Sequence, residues 1–296
     1  MSLPRSLQAT LEQQLGGSIS RVQPAFGGDI NQAARITCGS QDFFVKWNAS
    51  APPDMFPQEA YGLQLLAGAG ALRVPAVHFA ADPDGSRPGY LVMDWIETGG
   101  RGARSDRIMA QFGEGLAALH QHTAAQHGLD HDNFIGRLPQ PNIQTGGWTA
   151  FYREQRIGYQ MALARRSGRL PARREDLLTR LMARLDDLLD DDAMPPALLH
   201  GDLWGGNYLL DTQGQAVLID PAVYYGHREM DLAMTELFGG FSEPFYAAYQ
   251  GVFPTPGYED RRALYQLYYI IVHLNLFGES YGGRVDALAA RYVGWS

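Results

Sequence analysis

A single cysteine, Cys38, stands in 296 residues. It excludes an internal disulfide, and a reducing cytoplasm is the expected location. No uninterrupted apolar stretch reaches the length of a membrane span. The opening Met1-Ser2-Leu3-Pro4-Arg5 lacks the apolar core of a signal peptide. Net positive charge is missing too, since the formal balance is -8 at pH 7. That argues against a nucleic-acid partner held through its phosphates, while leaving room for one local phosphate site. Internal repeats and low-complexity segments are absent. What remains is an ordinary globular composition, 45% hydrophobic and 19% charged. The length gives one large domain or two lobes with ample core.

The chain changes character along its length. Leu7, Leu11 and Leu15 repeat at helical spacing and predict a short helix over 6–15. Residues 22–45 read as β, with glycine punctuation at Gly27-Gly28 and a turn near Cys38-Gly39-Ser40. Phe43-Phe44-Val45-Lys46-Trp47 is a strand with a polar end. A helix is predicted over 58–69, and strands over 75–79 and 90–93, around the turn Asp82-Pro83-Asp84-Gly85. After Met93-Asp94-Trp95-Ile96-Glu97-Thr98-Gly99-Gly100 the pattern turns helical. Ile108, Phe112, Leu116 and Leu119 form one apolar stripe, and a wider one runs from Leu177 to Leu189. Both stripes are read as core. Asp186, Asp187 and Asp190 to Asp192 are read as a solvated helix end, and Arg165, Arg166, Arg169, Arg173 and Arg174 as a solvent face.

The most informative stretch is His200-Gly201-Asp202-Leu203-Trp204-Gly205-Gly206-Asn207, followed by Val217-Leu218-Ile219-Asp220-Pro221. A hairpin is predicted between them, with strands at Tyr208 to Leu210 and Ala216 to Ile219 and a turn at Asp211-Thr212-Gln213-Gly214. A carboxylate that orients a hydroxyl and takes its proton, followed by two hard oxygen ligands for a cation bridging phosphates, is the equipment of phosphoryl transfer. Asp202 fits the first role, Asn207 and Asp220 the second. Each residue alone could be making turn hydrogen bonds; the complete spacing is what carries the reading. Lys46 at a strand end and Glu59 early on the next helix add an ammonium for phosphate and the carboxylate that orients it. By themselves they could be an exposed pair. Gly27 and Gly28 let backbone N–H groups approach phosphate oxygens, without the ending of a Walker A loop.

With these pieces in place the chain resembles the fructosamine-3-kinase and ketosamine-3-kinase family, within the protein-kinase-like fold of aminoglycoside phosphotransferases and choline kinases. The likeness runs over nearly the whole chain. It includes Gly27-Gly28-Asp29-Ile30-Asn31, Phe44-Val45-Lys46, Glu59-Ala60 and Gly136-Arg137-Leu138-Pro139-Gln140-Pro141-Asn142. Leu199 to Asn207, Asp220 to Ala233, Phe238-Gly239-Gly240-Phe241 and Leu274-Asn275-Leu276-Phe277-Gly278 complete it. The Asp202-Leu203-Trp204 continuation, the Pro139 to Asn142 segment and Tyr225-Gly226-His227-Arg228-Glu229 point to the fructosamine branch.

The resemblance implies an α+β, two-lobed fold. A small antiparallel-sheet lobe with one helix would span about 1–95, and a mainly helical lobe 96–296. It implies ATP and Mg²⁺, with the C3 hydroxyl of a ketosamine, free or on a protein lysine, as acceptor. A phosphate there becomes a leaving group once the neighbouring ketoamine enolises, which frees the amine; the expected outcome is deglycation. The main chain at Asp94, Trp95 and Ile96 would bind adenine. Trp204 would stack on the sugar, and His273, Asn275 and Phe277 would line the acceptor pocket. For Trp204 and His273 a plain core role is the competing reading. Relatives with a cysteine after Gly-Gly form a redox-sensitive disulfide dimer; here Asp29 stands there, so no such dimer is expected. A kinase for another small alcohol, such as an aminoglycoside or an amino alcohol, and a silent nucleotide-binding protein are the rival readings.

Overall fold

The computed structural model describes residues 2–25, 30–99, 105–189 and 195–294. Helix α1 (Arg5–Leu15) precedes strands β1 (Ile19–Pro24), β2 (Gln32–Cys38) and β3 (Gln41–Asn48). Helix α2 (Met55–Ala69), strands β4 (Val77–Ala81) and β5 (Gly89–Asp94) and helix α3 (Asp106–Leu119) follow. Short strands β6 (Asn133–Ile135) and β7 (Leu138–Gln140) lead into α4 (Trp148–Phe151), a π-helical turn (Tyr152–Gly158) and α5 (Tyr159–Arg166). Next come α6 (Ala172–Ala183), α7 (Leu185–Leu188), and strands β8 (Ala197–Leu199), β9 (Tyr208–Leu210), β10 (Ala216–Leu218) and β11 (Tyr224–Gly226). Helices α8 (Glu229–Thr235), α9 (Glu243–Val252), α10 (Tyr258–Phe277) and α11 (Gly282–Val293) complete the order, with a 3₁₀ turn at Glu279–Tyr281. No helix among the described residues is long and apolar enough to cross a membrane.

The chain divides into two compact units. The first comprises Met1–Ile108 with Tyr208–Pro221, the second Met109–Asn207 with Ala222–Ser296. The sequence boundary at 95/96 differs from this division. Residues 96–99 and the β9–β10 hairpin group with the first unit because the backbone ties them there. Gly99 N donates to Leu210 O at 3.0 Å, Leu218 N donates to Arg73 O at 2.9 Å, and Arg73 pairs with Asp211.

In the first unit the five strands run antiparallel in the order β1-β2-β3-β5-β4. Successive side chains alternate faces. Phe43, Val45 and Trp47 of β3 therefore join Ala34, Ile36, Tyr90 and Val92 in a core under Leu3, Leu7 and Leu11. Gly16, in the left-handed region at φ 68°, ends α1. Helix α2 packs on β4 and β5. It starts three residues before the expected Gln58, because Pro57 falls within its first turn, where proline gives up no intrahelical bond. The predicted hairpin forms, with Ala216 opposite Leu210 and Leu218 opposite Tyr208. Asp211 caps its turn by accepting from Gln213 N and Gln215 N, both at 2.9 Å.

The second unit is mainly helical. Helix α10, 20 residues long, buries Leu264, Tyr265, Leu267 to Val272 and Leu274 at its centre. Two of the arginines read as a solvent face are not one. Arg174 is buried and pairs with Glu279 and Asp286, both at 2.7 Å. Arg169 donates to Leu274 O and Asn275 O at 2.9 and 2.5 Å. Carbonyls at a helix C-terminus lack intrahelical donors, and a guanidinium supplies them. Arg165 does pair at the surface, with Glu175. Asp186 is exposed, as expected, and meets Arg153 at 2.8 Å.

Candidate active site

In the first unit, the alternation that sends Val45 and Trp47 into the core turns Lys46 to the opposite face, toward α2. The side chain is only 4% exposed there, so its charge needs partners. It has two. Lys46 Nζ lies 2.5 Å from Glu59 Oε1 and 2.7 Å from Asp220 Oδ1. Burial favours the neutral amine, but the Asp220 and Glu59 carboxylates overcome it and hold Lys46 above the ordinary lysine range. Burial also pushes Glu59 up to about 7, against the pull of Lys46. Asp220 stands two residues past β10 with φ 52°, a left-handed conformation that aspartate tolerates better than most side chains. The strained backbone aims its carboxylate at Lys46. Lys46 is also the chain's only lysine, every other strong base being arginine. That compositional fact alone marks it out.

In the second unit, the loop carrying Asp202 follows β8 and is fixed from beneath. Asp231, fully buried on α8, accepts from His200 N at 2.8 Å and Gly201 N at 2.9 Å. Behind it His120 bridges Asp231 and Tyr249 OH at 3.2 and 2.8 Å. Ala222 N donates to His200 O at 2.9 Å. A Cβ on Gly201 would strike the Ala222 carbonyl, and its φ of 83° suits glycine alone. Asn207 Nδ2 donates to Asp202 O at 2.8 Å and to Asp202 Oδ2 at 3.0 Å. The two residues are thus set as one unit, with Asp202 half-buried and Asn207 6% exposed. Asp231 lies within the Asp220 to Ala233 segment, and its available signal is an aspartate directly before the apolar Leu232-Ala233-Met234 of α8.

The proposed acceptor residues separate. Trp204 is 36% exposed, with its ring lying over Gly206, and meets Phe238 edge-to-face at 6.2 Å. Phe238 packs on His273 at 4.7 Å, and His273 contacts Phe277 at 5.6 Å and Tyr281 at 5.2 Å. Burial and the nearby Arg284 lower the His273 pKa, partly offset by the hydrogen bond with Tyr269 O. In the neutral ring that 2.8 Å bond is donated from Nδ1, which leaves Nε2 as the acceptor. Asn275 stands apart, because its amide donates to Gln160 O and Oε1 at 2.9 and 2.8 Å and so braces α10 against α5. Phe238 and Tyr281 join the row without having been singled out; the Gly239-Gly240 pair beside Phe238 was the available signal.

The Pro139 to Asn142 segment, which marks the fructosamine branch, serves the fold as scaffold: Gln140 and Asn142 are buried. Gln140 donates to Ala222 O and Asn133 Oδ1, and buried Arg156 donates to Pro141 O and Asn142 Oδ1. In the segment expected to bind adenine, Asp94 N already donates to Ala76 O at 2.9 Å, which takes that N–H out of adenine binding. The Trp95 ring stacks on Phe44 and lies under the Arg35 guanidinium at 4.7 Å. Ile96 is buried. Gly27, Gly28 and Asp29 lie outside the described residues.

A strand lysine between a helix glutamate and a post-hairpin aspartate, with a braced Asp–Asn loop in the same chain, defines a phosphotransferase of the protein-kinase-like fold. The fructosamine kinase family matches residues 4–293, and the chain belongs to that family. A "Probable ketoamine kinase" of Lactiplantibacillus plantarum is 43% identical over 93% of this chain and 95% of its own length. Protein-ribulosamine 3-kinase, chloroplastic, of Arabidopsis thaliana is 40% identical over 93% of this chain and 83% of its own. Among solved structures, a Thermobifida fusca protein assigned as a fructosamine-3-kinase superposes with a TM-score of 0.87 at 33% identity. That match covers 97% of this chain and 98% of the other.

Proposed function

We propose that this protein is an ATP-dependent kinase for the C3 hydroxyl of ketosamines. The observation that carries the reading is the buried Lys46–Glu59–Asp220 triad in a member of the fructosamine kinase family. MgATP supplies the phosphoryl group and the cation that neutralises its charge.

The residues present suit that group. Asp220 and the Asn207 carbonyl oxygen are each hard donors of the kind Mg²⁺ takes where phosphates and water complete its shell. Lys46, held protonated by its two carboxylates, is an ammonium ready for phosphate oxygens. Asp202 accepts the hydroxyl proton as the sugar oxygen attacks phosphorus and the bond to ADP breaks. Asn207 holds Asp202 in place for this. Trp204 offers an aromatic face to the apolar side of the sugar, and positioning is most of what such a catalyst supplies. Once the product enolises, its C3 phosphate leaves and water hydrolyses the resulting imine, which frees the amine carrier; the biological outcome is then deglycation, of small amines or of protein lysines.

The test is ADP release by the purified chain with a panel of fructosamines, ribulosamines and aminoglycosides. Turnover restricted to the ketosamines is the expected result. Turnover with kanamycin-type amines in preference would leave a kinase with a different acceptor. No ATP turnover with any member would favour the silent nucleotide-binding protein.

A further inference from the structure

Large aromatic side chains are normally kept from solvent, yet three stand open in one row of the second unit. Trp204 is 36% exposed, Phe238 42% and Phe277 48%. His273 and Tyr281 fill the row between and behind them. Phe238 is held there at φ 55°, and Gly239 and Gly240 follow at 108° and 70°. A bulky residue in the left-handed region is strained, and such strain persists where the surroundings enforce it, often at ligand sites.

The row is also built firmly. Its α10 segment is gripped by Arg169 on the Leu274 and Asn275 carbonyls and by Asn275 on Gln160. Arg174 ties the following turn through Glu279 and the next helix through Asp286. Those two pairings have a second effect. The carboxylates of Glu279 and Asp286 are turned to Arg174, while Arg284 in the first turn of α11 makes no ion pair among the described residues. Its exposed guanidinium lies 5.9 Å from the Phe238 ring centroid, at the edge of the row.

A ketosamine has two ends, the sugar that reacts and the nitrogen-linked carrier. The sugar belongs beside Trp204, two residues from Asp202. The secondary amine is cationic at neutral pH, and aromatic faces attract such a cation. Beside Phe238 the row offers Arg284, a positive charge with no ion pair among the described residues. We propose that Phe238, Tyr281 and Arg284 extend the acceptor site into a subsite for the carrier, and that Arg284 selects carriers bearing a carboxylate. The preferred substrates are then ketoses linked to the nitrogen of a free amino acid, not to a lysine inside a protein, whose neighbourhood carries no such group. This rests on the ketosamine-kinase reading above and deepens it.

The experiment compares KM for ketosyl-glycine and ketosyl-aminohexanoate with KM for their carboxamides, in the wild type and in Arg284 variants. The exposed guanidinium should favour the carboxylate about three- to tenfold in at least one of the two lengths. Arg284→Gln should bring the ratio to near one, Arg284→Glu should invert it, and Arg284→Lys should restore most of it. Thermal melts check that the variants fold, which an exposed position should allow. A wild type with equal KM for acid and amide overturns the inference and leaves the kinase reading standing. So does a preference that survives Arg284→Gln. A wild type that phosphorylates no ketosamine overturns both together.

Discussion

Asp202, the proposed base, illustrates how little of a site position is local. Its carboxylate is oriented by Asn207, its loop is pinned by Asp231, and Gly201 exists to let Ala222 approach. Asp202→Asn keeps the shape and removes the base. We expect kcat to fall on the order of 10²–10⁴-fold with nucleotide binding retained, as read by ADP release and by calorimetric titration. Near-normal turnover would remove Asp202 from the base role. The proposed roles of Asp202, Asn207, Asp220 and Lys46 come from spacing, and the structure pairs Lys46 with Asp220 and Asn207 with Asp202. Asp231 was not assigned, because a buried anchor acts through contacts that the sequence does not announce.

At the scale of elements, α1, α2 and the β9–β10 hairpin followed from periodicity and turn residues, whereas the roles of polar segments did not. Arg174 reads as one of a run of surface arginines. Its partners Glu279 and Asp286 lie 105 and 112 residues downstream, beyond any local pattern. The same holds for Gln140 and Asn142, whose partners at Ala222 and in the buried Arg156 turn a loop-like segment into scaffold. Arg174→Ala should therefore do two things. It should destabilise the protein by about 2–3 kcal/mol, through lost charged hydrogen bonds. It should also weaken the ketosamine more than ATP, because the turn bearing Tyr281 loses its tie. Differential scanning calorimetry and separate KM values check this; an unchanged melting temperature would contradict it.

A second element-scale outcome concerns pH. His227 is buried on a stacked contact with Tyr265 at 5.4 Å. Burial, with Arg261 and Arg228 close by, pushes its pKa down to about 3 from 6.5. The unfolded chain therefore binds a proton below pH 6.5 that the folded chain refuses until about pH 3. Stability must fall as pH drops through that window, by about 1.4 kcal/mol per pH unit for one such group. His273, also lowered, adds in the same direction. Denaturant unfolding between pH 6.5 and 4.5 should show a shallower slope in His227→Gln than in the wild type. Parallel slopes would mean that His227 is protonated in the native state.

Taken as a whole, the molecule concentrates its amine chemistry at one point. Lys46 is the only lysine, 3% exposed and held protonated between two carboxylates, so no side-chain amine is available to attack a sugar aldehyde. Incubated with ribose, the native chain should acquire no adduct at Lys46, while the denatured chain should. Peptide mass spectrometry reads both, and a native adduct at Lys46 would contradict the buried triad. The two-unit architecture and the family were legible in the sequence. The division of the units was less so, because the β9–β10 hairpin joins the first unit through Gly99 and Arg73, which lie more than a hundred residues earlier.

The proposed reaction places phosphate on the C3 oxygen of a ketosamine. The most direct measurement is phosphorus–proton correlation NMR of the product formed from ATP and fructosyl-glycine. A single phosphate ester coupled to the C3 proton is expected, formed by the wild type and not by Asp202→Asn. A phosphate coupled to another carbon, or a phosphorylated aminoglycoside with the ketosamine untouched, would contradict it.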